Sequence, residues 1–584
     1  MSPHAEPLRH QRVWWKEAVF YQVYPASFKD SNGDGWGDIP GLLERIPYIA
    51  SLGVDVVWLS PMFESPQIDM GYDISNYEAV DPSYGTVEDV EKLIKACHDH
   101  DLKLILDLVV NHTSDQHAWF KESRSSKDNP KRDWYFWKPP RYDENGNRLP
   151  PTNYRSYFAG GTWTWDEHTQ EYYLHLYDKS QPDLNWENEE CRKAIYDSAM
   201  RFWLDKGIDG FRVDTVNKYS KHIDFPQAPI TDPSTFIQPA AQFWCNGPRI
   251  HEFIKEMNSE VLSKYRTYDG QELVTVGELS LTPDPEGVLP YVSAEAKELS
   301  MVFQFDITHV GQGSGFLDKY DFAEWKLPEM KRIVEKWQTF IDGTDGWTTV
   351  FNENHDNGRS ICRFADESPQ WREKSAKMLA MWLTTVTGTL FLYQGQEIGM
   401  INAPKEWSID EYKDVESKNF WAEAVKMTED GTDPTREERI KYGLQLMARD
   451  HARLPFQWDS SKNSGFSDGE PWMRTHDLYK DINAEAQEKE ADSVLSFYKR
   501  LLRLRKEHKD VFVYGNFELL DADNENTFVF RKQYQHKTAL VALNFTSTAQ
   551  NAPSHEDMNL LMSSYSKTSP ETLQPYEGKI YINY

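Results

Sequence analysis

The chain lacks most of the features that mark secreted, membrane-spanning or nucleic-acid-binding proteins. Its four cysteines, Cys97, Cys191, Cys245 and Cys362, lie far apart, with no CxxC pair and no neighbouring His cluster, so neither a disulfide framework nor a cysteine-based zinc site is indicated. No stretch approaches the ~20 apolar residues of a membrane span, and the opening run MSPHAEPLRHQRVWWKEAV has no apolar core of the kind a signal peptide needs. Positive charge is scarce: 64 Lys and Arg stand against 93 Asp and Glu, and a net charge of −29 has the wrong sign for nucleic acid or an anionic membrane. There is no repeat of fixed period and no low-complexity tract. The expectation is a reduced, cytoplasmic, monomeric globular protein whose partner is a small molecule. Aromatic residues are plentiful, with Trp 21, Tyr 30 and Phe 29 in 584 residues, and such rings serve either as core or as surfaces that stack on sugars.

Short apolar or β-branched runs alternate with helix-sized amphipathic stretches. AVFYQVYP (18–25), VDVVWLSP (54–61), DLKLILDLVV (101–110), GFRVD (210–214), LVTVGE (273–278), SMVFQFD (300–306), TTVFNENHD (348–356) and TLFLYQG (389–395) read as eight strands. Between two of them, Thr86 is placed to cap a helix whose apolar stripe is Val90, Leu93, Ile94 and Cys97. Eight strands separated by helices point to a TIM-type (β/α)8 barrel more than to an open sheet. The stretch 114–187 is polar, aromatic and rich in Pro and Gly, too long for a loop, and reads as a subdomain inserted after strand three. After a helix at 493–508, residues 516–545 alternate like antiparallel strands. The expected layout is barrel at 1–113, inserted subdomain at 114–187, barrel again at 188–513, and a C-terminal antiparallel β-domain at 514–584.

Barrel chemistry collects where the strands end, and unusual polar residues fall there: Asp107 and His112 after strand three, Arg212 and Asp214 on strand four, Glu278 on strand five, His355 and Asp356 after strand seven. Several acids at one mouth repel one another unless a reaction uses them. Paired carboxylates suit cleavage of a glycosidic bond, one attacking the anomeric carbon and the other protonating the leaving oxygen. Alternation in an extended chain puts Arg212 and Asp214 on one face, where the cation favours the ionised form of Asp214, as a nucleophile requires. Glu278 follows an apolar run with no basic neighbour in sequence, the setting for a raised pKa and the acid role. Asp356 is left to bind sugar hydroxyls. The same alternation turns Thr215 away from the nucleophile.

DLVVNH (107–112), GFRVD (210–214), VGE (276–278) and NHD (354–356), in this order and spacing, resemble the conserved segments of the α-amylase superfamily of retaining glycosidases. QPDLNW (181–186) resembles the marker of its oligo-1,6-glucosidase branch, within which the chain looks most like the fungal maltase and isomaltase α-glucosidases. The resemblance implies Asp214 as nucleophile, Glu278 as acid/base and Asp356 as the acid that stabilises the transition state. It also implies that Asp69 and Tyr72 of DMGYD, His112, Arg212, His355 and Arg453 of HARLPFQW hold the terminal glucose. Taken singly, several of these have structural alternatives, such as a capping Asp or a core Tyr. Phe158, Tyr177 and Gln181 either wall the pocket or belong to the subdomain's own core. Position 215 resembles the branch's linkage switch, where Thr goes with α-1,4 and Val with α-1,6 preference, while Val216 and Asn217 match neither pattern.

DSNGDGWGD (30–38) resembles the first part of a calcium loop, with oxygen donors at alternate positions, but the twelfth position carries Gly41 where a bidentate Glu is expected. The alternative is a turn-rich loop held by Asx-type hydrogen bonds. In the family branch this loop binds one Ca²⁺, which implies Asp30, Asn32, Asp34 and Asp38 as side-chain ligands and Trp36 through its carbonyl. The resulting expectation is a retaining, exo-acting α-glucosidase for maltose, maltotriose and sucrose that needs no organic cofactor. An isomaltase with α-1,6 preference, or a sucrose isomerase or glucosyltransferase, is the rival within enzymes, and an amylase-like binding protein the rival outside them.

Overall fold

The computed structural model describes residues 11–313, 319–555 and 557–583. Eight parallel strands form its centre: β1 Val19–Val23, β2 Val56–Leu59, β3 Lys103–Leu108, β4 Gly210–Val213, β5 Val274–Glu278, β6 Met301–Phe303, β7 Thr349–Val350 and β8 Thr389–Tyr393, in the order β6-β5-β4-β3-β2-β1-β8-β7. The two edges meet where Thr349 Oγ1 donates to the Val302 carbonyl at 2.9 Å, closing the sheet into a barrel. Nearly every strand residue is buried, as expected where one face meets the barrel interior and the other the helices. The helices follow their sequence signals. Val87–Asp99 starts in a capping box between Thr86 and Asp89 and turns Val90, Leu93, Ile94 and Cys97 inward.

Register brings the polar residues to a common level. Arg212 on β4 pairs with Asp107 on β3 and with Val276 on β5, two residues before Glu278. Gly277 has no room for a side chain: a Cβ there would lie 2.6 Å from Leu299 and 2.9 Å from Val216. That close approach packs the β5 end against the turn following β4, so the two segments bearing Asp214 and Glu278 sit side by side.

Between 114 and 187 a three-stranded antiparallel sheet is built from Trp137–Lys138, Trp163–Asp166 and Glu171–Leu174. Its aromatic core, including Phe136, Trp163 and Tyr172, is completed by Phe225, Ala228 and Trp244 from the long connection after β4. A five-stranded antiparallel sheet formed by Asn516–Leu519, Thr527–Tyr534, Lys537–Asn544, Asn559–Ser563 and Gly578–Asn583 ends the chain. It rests on the barrel helix Arg372–Thr385, where a Cβ at Gly578 would come 2.7 Å from the Met381 sulfur. Among the described residues no helix is long and apolar enough to cross a membrane.

Candidate active site

Arg212 organises the barrel mouth. Its guanidinium is buried and forks: Nη1 binds Asp107 at 2.6 Å and also Asp214, and Nη2 binds Glu278. Asp107 is steadied from behind by the Trp58 indole N–H at 2.7 Å. The Arg212 plane thus presents Asp214 and Glu278 together from adjacent strand ends. Burial is the largest influence on all three acids. It pushes Glu278 up to about 7, with Arg212 and Lys218 acting against it and Asp214 and Asp356 with it. Asp107 is raised to about 6 by burial despite Arg212. For Asp214 burial outweighs Arg212 as well, so its pKa lies above the usual value in the empty pocket, contrary to the direction expected from the Arg212 neighbour alone. The Glu278 side chain acts in the opposite sense, favouring the ionised form of Asp214, so the two acids titrate as a coupled pair.

Asp356 has the opposite environment. Burial alone would raise its pKa, but His355, Arg449, Arg453 and Lys319 overcome that and hold it well below the carboxylate range. Arg449 and Arg453 each reach its Oδ1 at 3.1 Å. Arg449 also binds Asp69 at 2.9 Å, and Arg453 binds Asp414 at 2.7 Å. Burial raises Asp69 to about 7 against the pull of Arg449. His112 is lowered to about 4 and His355 well below its usual value, both by burial, so both rings are neutral hydrogen-bonding groups at pH 7.

These groups surround a cavity of about 140 Å³ lined by Asp69, Tyr72, His112, Phe158, Tyr177, Asp214, Thr215, Glu278, His355 and Asp356, ten of the residues singled out from the sequence. Gln181, Arg212 and Arg453 stand behind this lining. Gln181 donates to Asp69 at 3.0 Å and to the Tyr72 carbonyl at 3.3 Å. Tyr72 lies parallel to the His355 ring, centroids 5.2 Å apart. Phe158 and Tyr177 belong both to the inserted subdomain's core and to the pocket wall. Thr215 does not continue the strand alternation: β4 ends at Val213, Thr215 adopts a left-handed conformation with φ 42°, and it lines the cavity with its hydroxyl buried and unpartnered.

Arg449 and Asp414 were not anticipated. Arg449 lies in the same short helical turn as Arg453, four residues earlier, so the i,i+4 spacing of two arginines in RDHAR was the available signal. Asp414 caps the helix Val415–Glu429 and has no motif of its own. Tyr157, Ser280 and Glu416 also line the cavity without having been foreseen.

The 30–38 loop winds through successive Asx turns: Asp30 accepts from Asn32 N–H at 2.9 Å, Asn32 from Asp34 at 2.9 Å and Asp34 from Trp36 at 2.8 Å. Asp38 caps the helix Ile39–Ser51 and also accepts from Ser31. Among the described residues no three His, Cys, Asp or Glu side chains are gathered as metal ligands would be. The loop's donors are nevertheless carboxylate, amide and peptide oxygens, the hard donors that calcium takes.

A closed βα barrel whose mouth holds two carboxylates on one guanidinium, one of them protonated near neutrality, is the architecture of a glycoside hydrolase. The chain belongs to the alpha-amylase family, whose catalytic-domain model matches residues 22–515. It is 51% identical to an alpha-glucosidase of Candida albicans, over 98% of this chain and 99% of that protein. It is 48% identical to oligo-1,6-glucosidase IMA2 of Saccharomyces cerevisiae, over 100% and 99% of the two chains. Among solved structures, an isomaltulose synthase of Erwinia rhapontici in complex with sucrose superposes with a TM-score of 0.90 at 38% identity, covering 98% of this chain and 99% of that one.

Proposed function

We propose that the protein is a retaining, exo-acting α-glucosidase that removes terminal glucose from short maltose-type oligosaccharides and from sucrose. The observation that carries this reading is the Arg212 fork, which holds Asp214 and Glu278 from adjacent nitrogens while Glu278 keeps its proton to about pH 7. Acids held so closely belong to the retaining class, with carboxyl groups about 5–5.5 Å apart, because an inverting enzyme needs room for a water between them. Asp214 attacks the anomeric carbon as Glu278 gives its proton to the glycosidic oxygen. A glucosyl ester forms on Asp214 and the leaving sugar departs protonated. Glu278, now ionised, takes a proton from water as the oxygen attacks the same carbon and frees Asp214. Asp356, kept anionic, faces the positive charge that develops on the ring.

Asp69, Arg449 and Asp356 form an ion-paired wall that stops a polysaccharide from threading past the acids, which limits cleavage to chain ends. Asp69, Tyr72, His112 and His355 are placed to contact the glucose held there, with Arg453 behind Asp356. The unpartnered Thr215 hydroxyl supports a preference for α-1,4 over α-1,6 linkages. One structural Ca²⁺ belongs to this reading, held by side-chain oxygens of Asp30, Asn32, Asp34 and Asp38 and the Trp36 carbonyl. Four free cysteines suit a monomer in the reducing cytoplasm.

Likeness to an isomaltulose synthase favours a second outcome for the same intermediate, transfer of glucose to a sugar instead of water. Incubation with maltose, isomaltose, sucrose and starch, with products followed by chromatography, separates the two. The proposal expects glucose from maltose and sucrose, released as the α-anomer, and little from starch. Isomerised sucrose as the main product would establish transfer, and rapid loss of starch would remove the exo assignment.

A further inference from the structure

Lys218, in the short turn Val216–Lys218 that follows the nucleophile, is completely buried. Among the described residues it forms no ion pair with a carboxylate. Its amine instead donates to Ser280 Oγ at 2.7 Å and to Asn217 Oδ1 at 3.3 Å, and sits 5.1 Å from the centre of the Tyr157 ring. An ammonium taken out of water with no carboxylate in direct contact, Glu278 acting on it only at longer range, is costly, and a neutral side chain would satisfy the fold at lower cost. The groups it engages are therefore informative. Ser280 lies two residues beyond Glu278, and both Ser280 and Tyr157 line the cavity, joined by a 3.0 Å hydrogen bond between their hydroxyls. The backbone beneath is tied to the same turn, since Asn217 Nδ2 donates to the Ser280 carbonyl at 2.7 Å and to Thr282 Oγ1 at 3.1 Å.

Within the proposed glucosidase reading, the acid that protonates the glycosidic oxygen stands at the junction between the glucose and the leaving sugar. The ion-paired Asp69 and Arg449 mark the glucose end, so the wall that continues from Glu278 to Ser280 borders the leaving sugar. A serine oxygen that already accepts from an ammonium has its own O–H to give to the Tyr157 oxygen, so the Lys218 contact fixes the position and polarity of that pair of hydroxyls.

We propose that Lys218 is a positioning residue for the leaving-sugar side of the pocket, acting through Ser280 and the adjacent Tyr157 ring to hold a wall that distinguishes a sugar leaving group from other leaving groups. This inference rests on the glucosidase reading and adds to it a residue that touches neither the glucose nor the acids.

The test compares kcat/KM for maltose with kcat/KM for 4-nitrophenyl α-glucoside, which carries the same glucose but no second sugar, in wild type, Lys218→Met, Ser280→Ala and the double variant. Each single change is expected to lower the maltose-to-aryl ratio about tenfold, the scale of one hydrogen bond lost in a transition state, with the aryl substrate affected less than about threefold. The double variant should fall no further, because both changes break one contact. An equal fall on both substrates, or an unchanged ratio, would overturn the proposal. If Lys218→Met fails to fold, the partly exposed Ser280→Ala decides alone, and an unchanged ratio there refutes the role. A wild type that releases product from neither substrate refutes the glucosidase reading itself, and this inference with it.

Discussion

Thr215→Val is the change for which the structure makes the sharpest demand. The Thr215 hydroxyl is buried, 3% exposed for the residue as a whole, and has no hydrogen-bond partner within the protein. The hydroxyl faces the cavity and no protein group, so exchanging it for a methyl of nearly the same volume breaks no hydrogen bond within the fold. Threonine and valine are both β-branched, and the strain of the left-handed backbone at φ 42° is carried by either. The thermal midpoint should therefore hold or rise by about 1–2 °C. With a sugar bound the sign reverses. On the proposed α-1,4 reading the hydroxyl then finds a partner on the substrate, and losing one such bond in the transition state, about 1.4 kcal/mol, lowers kcat/KM for maltose about tenfold. Isomaltose, presented to an apolar wall, should lose less or gain. The assay is kcat/KM on both disaccharides together with a melting curve. An unchanged maltose-to-isomaltose ratio would refute Thr215 as the linkage determinant. A midpoint lowered by several degrees would show that the hydroxyl was already satisfied.

Glu278 gives the pH prediction. The carboxyl is raised to about 7 from 4.5 and must be protonated to act, so kcat/KM for maltose falls as pH rises through about 7. Because the folded state binds that proton more tightly, its stabilising contribution is complete below about pH 4.5 and is lost through about pH 7. Glu278→Gln removes the alkaline limb and spares an activated aryl glucoside in the glucosylation step; a limb that persists in the variant assigns the titration elsewhere. Arg449→Lys keeps the charge but not the reach to both Asp69 and Asp356, so KM for maltose rises at least about tenfold with the fold retained, whereas Arg449→Ala leaves the buried Asp69 without its cation, Asp356 keeping Arg453, at a cost of about 3 kcal/mol. Wild-type activity recovered in either variant would remove Arg449 from the glucose site. Chelator should lower the wild-type melting midpoint and added Ca²⁺ restore it, with Asp34→Ala abolishing the response; a midpoint indifferent to chelator and calcium contradicts the metal.

The barrel was legible because its strands are buried on both faces and therefore read as largely apolar runs, and four of them lead into polar residues at the mouth. Asp107, Arg212 and Glu278 lie on their strands near the C-terminal ends, whereas the strand read over 348–356 stops at Val350 and Asp356 reaches the mouth from the loop beyond it. Thr215 shows where that reasoning stops: alternation holds only while the chain is extended, and the left-handed turn after Val213 brings the side chain back to the cavity. The Asp214 pKa could not be judged from Arg212 alone, since burial is a property of the assembled mouth and not of the strand. The insertion was visible as a composition change, but its core borrows Phe225 and Trp244 from a connection far along the chain, which no local pattern announces. Arg449 and Asp414 were missed for a similar reason: their partners Asp69, Asp356 and Arg453 come from different elements, and only packing brings them into one network.

The central claim is a covalent glucosyl intermediate on Asp214, and trapping it is the most direct measurement. Enzyme incubated with a ring-fluorinated α-glucosyl fluoride, which forms such esters faster than it releases them, should gain one fluoroglucosyl mass, and peptide mapping should place it on Asp214, with Asp214→Asn gaining none. No adduct while the fluoride is still turned over, or an adduct on Glu278 or another residue, would contradict the account.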